Sequence, residues 1–317
     1  MSELDKVIKQ LNKKFGNDYA KYGLYKDYER ISFGVLAIDF ASGGGFPKSK
    51  VVTLAGKYSA GKTTTSMNVI AQFQKDGGKV ALIDTEGGFD PVWASKFGVT
   101  VEDLLVARPE TIEEVGDTIE PLLATGELDL IVFDSVASTP SKKELEASVD
   151  QKSMGGIAKE VGLLMRKITA RLRDVKTSIL IINQLRDSIA GWGSAEYMPG
   201  GTQLKNQSDI IIWMRKGNWI GKVEEPEGIE VNFRINKNRT APPLRKGTFE
   251  LYFDGRINNN KTLIVEAVKL GIIEKSGAWY KYKEEKYQGI DSLIESLSEE
   301  DLENIKKETL EKYEKQT

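Results

Sequence analysis

Gly56, Lys57, Tyr58, Ser59, Ala60, Gly61, Lys62 and Thr63 form a complete G-x-x-x-x-G-K-[ST] run. Such a run handles phosphate. Its glycines let backbone N–H groups converge on phosphate oxygens, helped by the positive end of the helix that follows. Lys62 can reach the β- and γ-phosphates, the Thr63 hydroxyl can ligate Mg²⁺, and Thr64 lies next to it. An apolar run (51–55) precedes the motif and a helix-like stretch (63–75) follows it, which a plain glycine turn would not require. The residues predict a nucleoside triphosphate site.

A Mg²⁺-triphosphate needs an acidic partner at the end of a neighbouring apolar strand. Asp84 and Asp134 both end such runs. Asp134 follows the more uniformly apolar one, Leu130-Ile131-Val132-Phe133, and is the stronger candidate. Hydrolysis also needs a group that orients or deprotonates water. Glu86, two residues past Asp84, falls at the carboxyl edge where ligands bind in parallel sheets; a surface-loop carboxylate is the ordinary alternative. Gln184 ends the run 179–182 at the same edge, where an amide can sense a γ-phosphate or serve only as a local hydrogen bonder. Lys237 and Arg239, flanking Asn238, point to one side of a strand end, as a pair of fingers for a triphosphate or as a solvated edge.

Composition narrows the chemistry. The 317 residues include no histidine and no cysteine, which excludes Ser-His-Asp catalysis, His-ligated zinc, disulfides and thiolate nucleophiles. Any catalytic base must be a carboxylate or a lysine. A hydrophobic fraction of 40% suits a soluble globular chain, and apolar runs such as 210–214 are far too short to span a bilayer. The charged start (Glu3, Asp5, Lys6, Lys9) does not read as a signal peptide, so the expected location is the cytoplasm. Net charge is −2, yet residues 159–186 carry seven basic side chains against two acidic ones. That stretch can hold a polyanion locally or form a solvated helix face.

The elements that must position these groups alternate. Apolar, β-branched runs at 51–54, 80–83, 130–133 and 179–182 are separated by helical patterns at 63–75, 91–97, 112–124 and 157–173. This predicts an α/β fold with a mostly parallel sheet covered on both faces. Runs at 210–214, 231–236 and 248–253 follow without long helices, and are expected to extend the sheet in antiparallel fashion. Leu4, Val7, Ile8, Leu11 and Phe15 recur at helical spacing, and residues 23–46 read as loop and short strand. Two segments, 148–156 and 188–202, resist regular assignment and suit functional loops. After Leu270 an aromatic stretch and two amphipathic helical pieces follow, with Ser298 to Asp301 as a capping box. The expected division is an N-terminal helix-strand arm (1–32), an ATPase core (33–269) and a small C-terminal α+β subdomain (270–317).

Taken in order, these positions resemble the RecA family of recombinases. The resemblance runs from about Leu11 to Tyr282 and is carried by Lys14-Phe15-Gly16, the phosphate loop, Ile83-Asp84-Thr85-Glu86 with Asp90-Pro91, Val132-Phe133-Asp134-Ser135-Val136, Met154-Gly155, Met165-Arg166-Lys167, Ile182-Asn183-Gln184-Leu185-Arg186, Lys237-Asn238-Arg239 and Gly277-Ala278-Trp279-Tyr280. It implies a RecA-type P-loop ATPase core and a role for each position. Glu86 would activate water, and Gln184 would couple γ-phosphate to the DNA loop it begins. Asp90 and Trp93 would hold adenine, with tryptophan in place of the family's usual tyrosine. Lys237 and Arg239 would reach a neighbouring subunit's ATP, Arg239 standing where the family has lysine. Residues 154–156 (Met154, Gly155, Gly156) and 186–201 would be the two DNA loops. Arg166, Arg186, Gly200, Gly201 and Thr202 would grip phosphates, while Ile189 would wedge between bases. The first helix would dock on the next subunit. The second loop is about one residue shorter than the bacterial pattern, and the curtailed C-terminal region resembles phage-encoded members.

The expected function is an ATP- and Mg²⁺-dependent strand-exchange protein that forms a helical filament on single-stranded DNA, pairs it with homologous duplex DNA, and hydrolyses ATP in response to DNA. A hexameric helicase on the same core is the alternative within motor ATPases, and a small-metabolite kinase is a third class. Lys62→Ala is expected to remove or severely weaken ATP binding and hydrolysis, because the cation facing the β- and γ-phosphates is lost. Near-normal turnover of the purified variant would overturn the site.

Overall fold

The computed structural model describes residues 2–16, 20–22, 28–147, 156–187 and 196–315. Its centre is an eight-stranded sheet, with strands numbered here in chain order: β1 (Val51–Gly56), β2 (Val80–Asp84), β3 (Leu104–Ala107), β4 (Leu130–Asp134), β5 (Ser178–Gln184), β6 (Ile210–Gly221), β7 (Pro226–Asn238) and β8 (Lys246–Tyr252). Across the sheet they run β8-β7-β6-β1-β5-β4-β2-β3. The six strands from β6 to β3 are mutually parallel, and β7 and β8 add an antiparallel edge.

Alternation along the central strands divides the core into two layers. Val52, Leu54, Leu82, Leu130, Val132, Leu180 and Ile182 enter one cluster, which the helix Lys62–Lys75 covers with Met67, Val69, Ile70 and Phe73. Val51, Ala55, Ala81, Ile83, Ile131, Phe133, Ile179 and Ile181 enter the other. The helices Ile112–Thr125 and Gly156–Arg171 cover that face. Two buried faces explain why these strands carry nearly continuous apolar runs rather than an apolar residue at every second position.

Three expectations from the sequence need correction. The run beginning at Ile210 is parallel, not antiparallel: Ile210 pairs with Val52 and Met214 with Gly56, and the strand then continues to Gly221 as the first arm of a long hairpin with β7. The direction is set by the helix Gly201–Gln207, which supplies a crossover too short to stand out in the pattern. Residues 36–42, read as loop and short strand, form the helix Leu36–Ser42, in which all seven residues are buried, Asp39 and Ser42 included. A helix buried all round shows no amphipathic period. Edge strand β3 was missed because it has only four residues, with Leu105 exposed.

A third cluster joins Leu36 and Phe40 of that buried helix to Leu263, Ile264 and Ala267 of the helix Asn259–Lys269, and to Ile273, Tyr280, Leu293 and Ile305 beyond it. The region after Leu270 holds a three-stranded antiparallel sheet (Glu274–Ser276, Trp279–Tyr282, Glu285–Gln288) and the helices Ile290–Ser296 and Glu299–Lys315. The capping box forms as expected: Asp301 N–H donates to Ser298 Oγ at 3.1 Å, and Ser298 N–H to Asp301 Oδ2 at 3.3 Å. At the other end, the helix Glu3–Phe15 buries none of its residues and shows Leu4, Val7 and Phe15 on its surface.

Candidate active site

The phosphate loop leaves β1 at Gly56 and enters its helix at Lys62. Its two glycines are required for different reasons. A Cβ on Gly56 would sit 2.5 Å from the Met214 carbonyl oxygen, so close approach, not torsion, excludes a side chain there. Gly61 has φ +79° and is the N-cap, where a left-handed backbone favours glycine. The Lys62 ammonium is buried and donates to the Lys57 carbonyl at 2.8 Å. Burial lowers its pKa, against the opposing charges of Asp134 and Glu86.

Thr63 Oγ1 donates to Asp134 Oδ2 at 3.0 Å, so the two expected Mg²⁺ ligands are adjacent. The other carboxylate oxygen, Asp134 Oδ1, is buried and has no hydrogen-bond partner among the described residues. Burial, then the nearby Glu86 charge, raise the Asp134 pKa to about 7. An orphaned carboxylate oxygen beside a hydroxyl fits a hard divalent cation, which would satisfy the oxygen and favour its charge. Among the described residues no group of three acidic side chains could hold a metal. The remaining ligands would be phosphate oxygens and water, as is usual for Mg²⁺.

Asp84 lies beside Asp134 on the neighbouring strand, and its work is structural. Its carboxylate accepts from the backbone N–H groups of Gly87 (2.9 Å), Gly88 (3.3 Å) and Phe89 (3.1 Å), folding the loop that presents Glu86. Glu86 itself is exposed, so water can reach its carboxylate. One of its oxygens, Oε1, accepts from Ser135 Oγ at 2.5 Å and from Gln184 Nε2 at 2.9 Å. Ser135 is fully buried and fixed further by Ser138. Sequence reasoning quoted Ser135 within its motif but assigned it nothing; a serine directly after the metal-side aspartate was the available signal. The free carboxylate oxygen of Glu86 can accept a proton while the other is held in place.

Beside the loop, Ser59, Gly61 and Thr64 share a cavity of about 220 Å³ with Trp93, Lys216, Trp219, Tyr252 and Phe253. Trp93 packs edge-on against Phe97 at 5.2 Å, and Trp219 against Phe253 at 6.4 Å. Aromatic walls next to a phosphate loop can hold a flat heterocycle. Trp219, Tyr252 and Phe253 were not foreseen, because the long hairpin and β8 bring them in from more than 100 residues downstream. Asp90 is the N-cap of the helix Pro91–Lys96, its Oδ1 accepting from Val92 and Trp93 N–H, so it also fixes the tryptophan. Tyr58 is 87% exposed.

The expected DNA-facing residues are spread over three elements. Arg166 is exposed on the helix that begins at Gly156, and Arg186 donates to the Ala137 carbonyl at 2.9 Å. Gly200 and Gly201 both have positive φ and open the helix Gly201–Gln207, with Thr202 exposed in its first turn. A Cβ on Gly200 would lie 2.9 Å from Leu204 and 3.1 Å from Val136. Met154, Gly155 and Ile189 lie outside the described residues.

Lys237 and Arg239 are not brought to the phosphate loop. Lys237 pairs with Ile211, which pairs with Thr53, whereas the loop begins at Gly56 beside Met214. Three residues of strand separate them, about 10 Å, and both cations turn the other way. The Lys237 ammonium donates to the carbonyls of Lys205 (2.7 Å) and Asn206 (2.8 Å), and Arg239 donates to Asn206 (2.7 Å) and approaches Asp209 at 3.5 Å. They cap the negative end of the helix Gly201–Gln207. Burial and the Arg239 charge lower the Lys237 pKa. The pair does face one side, as its spacing predicted, but that side is the opposite edge of the sheet from the other site residues.

The family model for the RecA N-terminal domain matches residues 2–258, and that for the RecA C-terminal domain matches residues 262–314. The chain is 37% identical over 289 residues to Protein RecA of Legionella pneumophila, covering 89% of this chain and 83% of that one. It is 37% identical over 321 residues to Protein RecA of Thermus aquaticus, covering 98% and 94%. This chain belongs to the RecA family. Its function is therefore that of a RecA-type recombinase with DNA-dependent ATPase activity, and the helicase alternative is not favoured. RecA-family proteins use ATP with Mg²⁺, which agrees with the Lys62–Thr63–Asp134 arrangement.

Ser135→Ala is expected to lower ATP turnover about tenfold while leaving the KM for ATP within about twofold, since the hydroxyl positions Glu86 and does not face the phosphates. An unchanged kcat would mean that Glu86 does not depend on it.

Proposed function

We propose that this RecA-family chain polymerises on single-stranded DNA and completes each ATP site at the junction of two subunits. The observation that carries the reading is the separation of Lys237 and Arg239 from Lys62, Thr63 and Glu86 across the sheet. A subunit with the phosphate loop on one edge and a pair of cations on the other can serve two different sites. Stacked head to tail, each subunit would present its cations to the neighbour's γ-phosphate, a heterologous contact that propagates as a filament.

In this reading Lys62 and the loop amides bind the triphosphate, and Trp93 with Tyr252 and Phe253 holds the base. Mg²⁺, held by Thr63 and Asp134, would neutralise the phosphate oxygens. Glu86, oriented by Ser135 and Gln184, accepts the proton of the attacking water. Gln184 reports the state of that reaction to the loop it begins. Lys237 and Arg239 stabilise the charge on the neighbour's phosphate, and through the carbonyls of Lys205 and Asn206 they adjoin the helix that closes the second DNA loop. The arm of residues 1–32 carries an exposed apolar stripe suited to the next subunit, residues 33–269 form the core, and residues 270–317 the small subdomain. The site of action is the bacterial or phage-infected cytoplasm, where DNA and ATP meet.

DNA affinity is expected to fall steeply with salt and to vary little with base sequence, because Arg166, Arg186 and the Gly200–Gly201 amides would read phosphates. A strong preference for one sequence at fixed salt contradicts this. The direct test of the activity is ATP turnover with and without single-stranded DNA.

The shared site has its own test. Glu86→Gln should bind ATP and DNA but hydrolyse at least about a hundredfold more slowly, and Lys237→Ala should fold and bind ATP yet lose DNA-stimulated turnover. Mixed filaments of the two variants contain some junctions that pair an intact Glu86 with an intact Lys237. Recovery of turnover in the mixture, absent from either variant alone, supports the reading. No recovery despite demonstrated co-assembly places both cations outside a neighbour's site.

A further inference from the structure

The second position of the phosphate loop is free in the motif, and here it is a lysine with an unusual set of contacts. The Lys57 ammonium lies 2.9 Å from Asp187 Oδ1 and 3.5 Å from Glu196 Oε1, and it donates to Asp187 Oδ2 at 3.1 Å. Asp187 and Glu196 are themselves paired across a two-residue antiparallel ladder, in which Arg186 faces Tyr197 and Asp187 faces Glu196. That ladder is the base of the second loop, joining its outgoing and returning arms. Glu196, whose side chain is 13% exposed, is held from the other side by Arg215 of β6 at 2.6 Å. Two cations and two carboxylates thus close into one neutral cluster.

Lys57 is tied to the nucleotide end as well. Its carbonyl accepts from the Lys62 ammonium at 2.8 Å, and the carbonyl of its neighbour Gly56 accepts from Leu185 N–H at 3.1 Å. One residue therefore touches the phosphate-binding lysine through its backbone and the loop base through its side chain. Gln184 makes a separate link, to Glu86. The two connections leave the same strand end three residues apart.

We propose that Lys57 is a positioning residue that ties the phosphate loop to the base of the second DNA loop, so that DNA bound at the loop stimulates turnover through the Lys57–Asp187–Glu196–Arg215 cluster. This rests on the reading of residues 186–201 as a DNA loop. Nucleotide draws Lys62 toward phosphate oxygens and shifts the strand of backbone that Lys57 belongs to; DNA phosphates draw Arg186 and shift the ladder that holds Asp187. Each displacement is felt at the other end because a shared ion cluster resists it. Lys57 also neutralises two carboxylates that would otherwise repel DNA phosphates beside Arg186.

The test is a double-mutant cycle in the full-length protein, using Lys57→Met, Asp187→Asn and the double variant. ATP turnover is measured without DNA and with saturating poly(dT), and the ratio of the two is the readout. Affinity for a labelled oligo(dT) is followed by anisotropy with a non-hydrolysable ATP analogue. Asp187 is a surface residue, so its substitution leaves the core intact. Asp187→Asn is expected to lower the stimulation ratio about three- to fivefold without weakening oligo(dT) binding, since a negative charge near phosphates is removed. Asp187→Glu should restore the ratio. In the Lys57→Met background the asparagine should have no further effect on it. An unchanged ratio in Asp187→Asn, or additive losses in the double variant, would overturn the proposal and leave the cluster a surface ion pair. A wild-type protein whose turnover poly(dT) does not stimulate would instead overturn the reading of the loop on which the proposal rests.

Discussion

Parallel pairing in register puts the ends of neighbouring strands side by side, and the chemistry depends on that alignment. Gly56 pairs with Gln184, and Asp84 pairs with Asp134. Because all four residues close their strands at one edge, the loops that leave there start one strand spacing apart, about 5 Å from each to the next. The phosphate loop, the Glu86 loop, Ser135 and the segment that follows Gln184 are therefore neighbours although they are scattered over some 130 positions of the chain. A shift of one residue in any of these pairings would exchange the side chains that fill the two core layers and separate the groups at the same time. Burial on both faces of the sheet is what prevents the shift, so the core that stabilises the fold also sets the distances in the site.

The price of gathering these groups is electrostatic. Asp84, Glu86 and Asp134 stand close together with Lys62 as the buried cation beside them, and burial weakens the hydration of Asp84, Asp134 and Lys62. The structure handles the three carboxylates differently. Asp84 accepts three backbone N–H groups, and Glu86 accepts a hydroxyl and an amide at the water edge. Asp134 keeps one oxygen without a partner, and its pKa rises to about 7. Since that value lies above the unfolded one, ionising Asp134 costs stability progressively as pH rises from about 4 through 7. A divalent cation held at the free oxygen would remove the cost. The residue that is least comfortable alone is thus the one best suited to hold a metal.

Most of this was legible because it is local. The phosphate loop, the aspartates closing apolar runs and Gln184 at a strand end are patterns that a few residues of context define. The strands 51–54, 80–83, 130–133 and 179–182 stood out because burial on both faces leaves them almost wholly apolar, Thr53 being the one polar residue among them. What escaped notice depends on contacts distant in sequence. The helix Leu36–Ser42 has no polar face to mark its period. The direction of β6 follows from where a seven-residue helix returns the chain, which no window of sequence contains. Trp219, Tyr252 and Phe253 gain their meaning only when the hairpin lays them beside Ser59 and Gly61. The positions of Met154, Gly155 and Ile189 fall outside the described residues, so their roles stay where the resemblance put them.

The two edges of the sheet are unequal in a way that bears on assembly. One edge concentrates carboxylates around a single buried lysine, and a triphosphate with Mg²⁺ brings further negative charge to it. The other edge carries Lys237 and Arg239, whose only partners among the described residues are two carbonyls and a partly exposed aspartate. Backbone carbonyls at a helix end offer about half a charge in sum, much less than a phosphate does. The cations therefore have more to gain from an anion than from their present partners, and their own subunit's site is about 10 Å of strand away, on the far edge. An arrangement in which the surplus of one edge meets the deficit of the other cannot be satisfied within a single chain. The proposed stacking of copies would satisfy it, each contributing cations to the next, and the helix Glu3–Phe15 carries an exposed apolar stripe that such copies would bury.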